Sequence, residues 1–266
     1  MTRAKGITAR RSRGFTLAEL MVAMAVGTIL LLVVLGVMSS GSEGYAAATG
    51  RIDANVEARA ALTTFSDDLA TIRPSPVNDL SFSIRQGEGV WPSSEAWFFA
   101  LKPRSAQDAG KASGDLCFVY YYTAVTRELE GEAGPYSRKL YRRLISSADV
   151  MEMLRNGDDF LAPKPDPERL EDEAVAFNVV QFLAEPWVVN SESGQVEAWT
   201  RESGLAGPDF VDLTLRLTDD RTAALLSKEE NWEGDWPLAR QFFGEGPGSA
   251  EGKRMRTFKT RLPLDE

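Results

Sequence analysis

The sequence predicts an α+β fold, a long N-terminal helix followed by a mainly antiparallel β-sheet head. Three observations carry that expectation. Phe15 to Met38 is an unbroken apolar run containing one charge, Glu19. From about Tyr45 to Ile72 apolar residues return at helical spacing, until Arg73-Pro74-Ser75-Pro76 stops them. Further along, the period changes to two: Val211, Leu213, Leu215 and Leu217 alternate with Asp212, Thr214 and Arg216, the pattern of a half-buried strand.

The elements follow in order. Residues 1–14 hold Arg3, Lys5, Arg10, Arg11 and Arg13 and no acid. The next 24 residues, 15–38, would span about 36 Å as a helix, against about 30 Å of hydrocarbon. Positive charge before the run and none immediately after it orients the start of the chain to the cytoplasm and the remainder outside. Ser39 to Gly44 interrupts the apolar run and is an expected site of bending or local melting. In the helical stretch beyond it, Ile52, Val56, Leu62, Phe65, Leu69 and Ile72 form one stripe for core packing. Asp53, Glu57, Arg59, Asp67 and Asp68 face elsewhere.

Besides the strand at 211–217, strands are predicted at Leu80–Ile84, Ala96–Leu101, Leu116–Val125, Lys139–Ile145, Ala174–Phe182 and Arg254–Leu262. Short helices are predicted at Ser147–Arg155 and Thr222–Lys228. Polar loops separate them at 87–94, 104–114, 163–172, 191–207 and 244–252, and no internal repeat is visible. One globular head is expected rather than two.

Composition excludes much chemistry. The 266 residues include no histidine, which removes Ser-His-Asp and Cys-His catalysis, His-ligated zinc and an ordinary imidazole base. A single cysteine, Cys117, excludes an intrachain disulfide and any Cys-x-x-Cys site. Beyond the basic leader, 25 basic residues stand against 39 acidic ones, so no nucleic-acid partner is predicted.

The apolar run admits three readings. A cleaved secretory signal ending near Ala46-Ala47-Ala48 is disfavoured, because the run is much longer than the usual 7–15 residues. A plain signal anchor leaves Glu19 unexplained, since a carboxylate in hydrocarbon is costly without a partner. The third reading comes from the segment Arg13-Gly14-Phe15-Thr16-Leu17-Ala18-Glu19, which resembles the signal of type IV prepilins and type II secretion pseudopilins.

That resemblance implies cleavage after Gly14 by a membrane aspartyl prepilin peptidase and N-methylation of the new terminal residue, Phe15. It also implies that Glu19 sets assembly register by pairing with a neighbouring subunit's terminal ammonium, two charges that low dielectric forces together. Removing the leader would release the five positive charges that hold the subunit at the cytoplasmic face. Ala18, Ala23, Ala25, Gly27 and Gly36 would permit close helix approach, as they would in any membrane helix. Other pilins or pseudopilins and the inner membrane are the implied partners.

The remainder loosely resembles the J-type minor pseudopilin. The pattern consists of Val119-Tyr-Tyr-Tyr122, Leu140-Tyr-Arg-Arg143, the Ala174–Val180 strand before Trp187, and the late strand Asp209–Leu217.

Candidate sites in the head are fewer. Acid clusters at Asp158-Asp159, Glu168 to Glu173 and Asp219-Asp220 lack the calcium-loop spacing and read as solvated charge, so no metal is expected. Cys117 reads as a buried, inert thiol. Trp97 belongs with the core, whereas Trp232 and Trp236, in a polar turn-rich stretch, are candidates for a partner contact.

The expected organisation is therefore a leader at 1–14, a membrane or filament-core helix at 15–38, its continuation at 39–73 and a periplasmic head at 74–266. The expected role is a minor, low-copy or tip subunit of a secretion pseudopilus or pilus-like filament, non-enzymatic and without cofactor. The alternative is a signal-anchored periplasmic enzyme, such as a paired-carboxylate hydrolase, or a binding protein.

Overall fold

A computed structural model describes residues 16–77, 81–107, 110, 112–127, 134–160, 172–201, 207–232, 237–244, 246 and 254–264. The chain divides into two compact units, residues 1–49 and 50–266. Helix α1 (Leu17–Leu69) supplies the described part of the first unit and the opening of the second. It runs through Ser39–Gly44 without the expected interruption. The segment contains no proline, and each glycine costs a helix only about 1 kcal/mol relative to alanine.

The second unit is built on two antiparallel sheets. The first contains β1 (Ile72–Arg73), β2 (Ser83–Gln86), β3 (Ser94–Leu101), β4 (Leu116–Arg127), β5 (Tyr136–Ile145) and β6 (Glu173–Ala176). Its order is β1-β3-β4-β5-β6, with β2 also paired to β3. The second sheet has the order β10-β9-β7-β8, from β7 (Val179–Val189), β8 (Val196–Ala198), β9 (Phe210–Thr218) and β10 (Met255–Pro263). Helices α2 (Ser147–Asn156), α3 (Asp220–Leu225) and α4 (Pro237–Phe243) lie between the strands.

Both faces of β3 and β4 are covered, which explains why these strands read as continuous apolar runs rather than alternations. Ala96, Phe98, Ala100, Val119 and Tyr121 enter the main core with Phe182, Leu213 and Leu215 of the second sheet. Their neighbours Phe99, Phe118, Tyr120 and Tyr122 enter a second core with Val150 of α2. β9 is the strand predicted at 211–217, with Val211, Leu213, Leu215 and Leu217 all buried; it is more than half-buried, because Phe210, Thr214 and Thr218 on its other face are buried too.

Within the second unit, α1 presents Ala54, Ala58, Ala61, Phe65 and Leu69 to the interior. The alanines let the helix backbone approach closely, and the Phe65 ring reaches Phe98, Tyr121 and Phe182 at centroid distances of 6.0, 4.6 and 5.8 Å. One helical side chain thus joins strands of both sheets. This corrects the predicted stripe at three positions: the helix ends at Leu69, so Ile72, expected on it, lies in β1. Ile52 and Val56 are 60% and 64% exposed, and the buried row is carried by alanines that an apolar-volume pattern underweights. Asp68, expected on the outer face, is buried.

The expected strand Ala174–Phe182 is two strands. Phe177 and Asn178 divide it, Asn178 adopts a left-handed φ of 50°, and β6 and β7 join different sheets. Asparagine tolerates that conformation, and its Nδ2 donates to Asp220 at 2.7 Å. The strand expected at Leu80–Ile84 is β2, from Ser83, and Leu80 lies outside the described residues. The helix expected at Thr222–Lys228 starts earlier, because Asp219 caps it by accepting from the Thr222 N–H at 2.8 Å. Short β8 falls within an expected loop.

Candidate processing and assembly segment

The described chain begins with a helix cap. Thr16 precedes the first helical residue, and its backbone N–H donates to Glu19 Oε2 at 2.9 Å. In return the Glu19 N–H donates to Thr16 Oγ1 at 3.3 Å, while that hydroxyl donates to Oε2 at 3.1 Å. This is a reciprocal capping box: two donors that the helix start leaves orphaned are satisfied by two side chains. Its signature, Thr16-x-x-Glu19, is legible in the sequence.

From there to Ser42 the helix is long and apolar enough to cross a membrane, with a mean hydropathy of 2.8 over its most apolar window. The apolar side chains from Leu17 to Met38 are exposed, including Leu30, Leu31, Leu32 and Val33 in succession. A helix apolar on every side suits lipid or a bundle of like helices. The Thr28 hydroxyl donates to the Met24 carbonyl at 2.8 Å, so this polar group needs no water. Gly27 and Gly36 have no neighbouring atom where a Cβ would lie, leaving room for another helix. Glu19 is the only ionisable side chain between Leu17 and Ser42.

Residues 9–35 match a protein-family model described as the prokaryotic N-terminal methylation motif. The chain carries a prepilin-type cleavage and methylation signal. No curated protein and no solved structure matches it. The motif supports a type IV pilin-like or pseudopilin-like protein and implies processing by a prepilin peptidase and assembly with other pilins. The N-terminal apolar helix fits an inner-membrane anchor of that type. Gly14 and Phe15 lie within the matched segment but outside the described residues.

The head's candidate residues divide differently from expectation. Trp232, proposed for a partner contact, is buried, and its Nε1 donates to the carbonyls of Leu226 at 2.8 Å and Tyr136 at 3.0 Å. Its ring packs against Phe243, so the polar sequence around it conceals a core residue. Trp236 lies outside the described residues. Trp97 is half-buried against the second core, in edge contact with Tyr120. Cys117 is buried, and burial pushes its thiol pKa up, as an inert thiol requires.

Of the acid clusters, Asp219 caps α3 and Asp220 accepts from Asn178. Asp158 and Asp159 follow the left-handed Gly157 that closes α2. They border a cavity of about 190 Å³ that also touches Trp97, Phe99 and Phe160. Residues 168–171 lie outside the described residues, and Asp172, read as solvated, instead has a buried side chain that accepts from the Tyr122 hydroxyl at 2.6 Å and faces Arg143 Nε at 3.9 Å. Among the described residues no group of three or more Cys, Asp or Glu is placed to hold a metal ion.

The sequence reading missed a buried ionic cluster at the end of α1. Asp68 accepts from Arg142, from Lys102 Nζ at 2.8 Å and from the Tyr121 hydroxyl at 2.5 Å. Burial alone would raise the Asp68 pKa. Hydrogen bonds and charge from Arg142, then bonds from Lys102 and Tyr121, outweigh it and hold the carboxyl below its ordinary value. Lys102 Nζ also donates to the Asp67 carbonyl at 3.0 Å, satisfying an orphaned acceptor of the last helical turn.

Proposed function

We propose that this protein is a minor pseudopilin or pilin-like subunit, inserted in the inner membrane and drawn after processing into a periplasmic filament. The observation carrying this reading is the methylation motif at 9–35, continued from Leu17 by an apolar helix with a single carboxylate. The leader 1–14 is removed at Gly14–Phe15 and Phe15 is methylated. Glu19 then neutralises the terminal ammonium of a neighbouring subunit in the helix bundle, because neither charge is stable alone in hydrocarbon. The positive charge of residues 1–14 keeps the start of the chain cytoplasmic and the head periplasmic.

A low-copy or tip position follows from the size of the head, residues 74–266, since bulky heads crowd a tightly stacked shaft. The loose J-type pattern of Val119–Tyr122, Leu140–Arg143 and Asp209–Leu217 agrees with it. The role is structural rather than enzymatic. Mass spectrometry of the mature N-terminus tests the reading: a terminal peptide beginning at methylated Phe15 is expected, and one beginning at Met1 or Thr2 overturns it.

A further inference from the structure

The strand β10 departs from the rest of the chain in charge and in pairing. Lys253, Arg254, Arg256, Lys259 and Arg261 place five basic residues within nine positions, and no acid occurs from 252 to 264, in a chain of net charge −9. β10 pairs with β9 one-to-one from Met255 opposite Thr218 to Pro263 opposite Phe210, with no register shift. Among the described strands it pairs with no other, so it is an edge of its sheet.

The direction of its free groups follows from one bond. The Leu264 N–H donates to the Asp209 carbonyl at 2.8 Å, and inter-strand bonding alternates along an antiparallel strand. The amides of 262, 260, 258 and 256 therefore face β9, and those of Thr257, Lys259 and Arg261 face the open edge. Pro263 falls at an outward position, where its missing N–H costs nothing. Phe258 and Leu262 pack on the main core and fix the strand's face, so the edge is held extended.

The charges select the occupant. Arg261 forms a two-bonded pair with Asp212, Nε at 2.7 Å and Nη2 at 2.8 Å, and Arg254 lies over the Phe242 ring. The exposed Lys259 adds a second cation beside Asp212, so the edge keeps a positive excess. A second copy of β10 would set cation against cation, which is destabilising for residues directly opposite. We propose that the open edge of β10 is a docking edge for an extended acidic segment of a different protein, which adds to the sheet as a further strand. Main-chain bonds supply the contact and the basic side chains the selectivity. This surface lies in the head and is independent of the N-terminal processing signal, so the two readings can fail separately.

The test uses the full-length chain in detergent micelles and a labelled peptide, acetyl-Thr-Glu-Val-Glu-Val-Glu-Val-Thr-amide, with Lys in place of Glu as the control. The expected result is saturable binding of the acidic peptide that weakens with salt, with new hydrogen-exchange protection at the amides of Thr257, Lys259 and Arg261. Thr257→Pro removes an outward amide without breaking a main-chain bond to β9, and is expected to abolish binding while keeping the wild-type circular dichroism. Lys259→Glu, an exposed change that does not touch the backbone, is expected to weaken binding roughly tenfold through charge. Equal binding of the lysine peptide overturns the proposal. Binding without protection of those three amides, or homodimers crosslinked through β10, does the same.

Discussion

Arg142 holds Asp68 by two hydrogen bonds, Nε to Oδ2 at 2.6 Å and Nη2 to Oδ1 at 2.9 Å. The carboxylate ends α1 and the guanidinium belongs to β5, so the pair fastens the helix to the first sheet. Lys102, after β3, and Tyr121, in β4, close on the same carboxylate. Each Asp68 oxygen is met by two donors, which is the condition under which a buried charge is tolerable.

Asp68→Ala should therefore destabilise the head by about 3–5 kcal/mol, because buried Lys102 loses its carboxylate and Arg142 keeps only the exposed Glu173, at 3.5 Å. Urea unfolding followed by tryptophan fluorescence measures this. A loss under about 1 kcal/mol would mean the cluster contributes no more than a surface pair.

The same carboxyl predicts an acid limb. Its folded pKa lies below its unfolded value, near 3.9. Its stabilisation is accordingly present above that pH and disappears as pH falls through the folded pKa. Wild type should lose stability relative to Asp68→Ala below about pH 4, seen as converging thermal midpoints.

Glu57 predicts the opposite sign. Burial, and then the charges of Asp220 and Asp53, raise its pKa against the lowering effect of the Phe177 N–H that it accepts. Its favourable contribution is full below the unfolded pKa and is lost as pH rises through the folded one. Glu57→Gln keeps an acceptor for Phe177 and removes the charge. It should equal or exceed wild-type stability at pH 7–8, with the difference vanishing below about pH 4. Destabilisation at neutral pH would refute the assignment.

The uneven legibility of this fold has physical causes. β9 was readable because its core face is aliphatic while Asp212, Thr214 and Arg216 on the other face are polar, so alternation survives in the sequence even though Thr214 is buried. The helix–strand order was readable because the apolar period switches from helical to two. Asp68 was not, since its partners Tyr121 and Arg142 lie 53 and 74 residues away and only the folded sheet brings them together. Ile52 and Val56 mislead because apolar volume does not decide burial on a helix whose buried row is carried largely by alanine. The division at Asn178 was hidden because a positive φ at a non-glycine residue has no strong sequence mark. At the N-terminus the motif spoke plainly, because every part of it is local.

Trp232 offers a direct check on the corrected reading of its neighbourhood. Trp232→Phe retains ring packing but removes the Nε1 donor that the Leu226 and Tyr136 carbonyls share. A stability loss of about 1–3 kcal/mol is expected. A surface tryptophan would show almost none, and its loss would instead weaken a partner contact.

Glu19 carries two roles that a pair of substitutions separates. As the acceptor of the Thr16 N–H, it closes the capping box at the start of α1. As the proposed counter-charge, it must be ionised opposite a neighbour's Phe15 ammonium. Glu19→Ala removes both functions. Glu19→Gln keeps an oxygen for the Thr16 N–H, since glutamine also completes a capping box, and removes only the charge. If pairing drives assembly, both variants should insert in the membrane at wild-type levels yet lose crosslinks to other pilins to a similar degree. If capping is what matters, Gln should assemble like wild type while Ala does not. The measurement is site-specific crosslinking between apolar helices at matched membrane levels. A glutamine variant indistinguishable from wild type would remove the charge-pairing mechanism, leaving Glu19 as the residue that starts the helix.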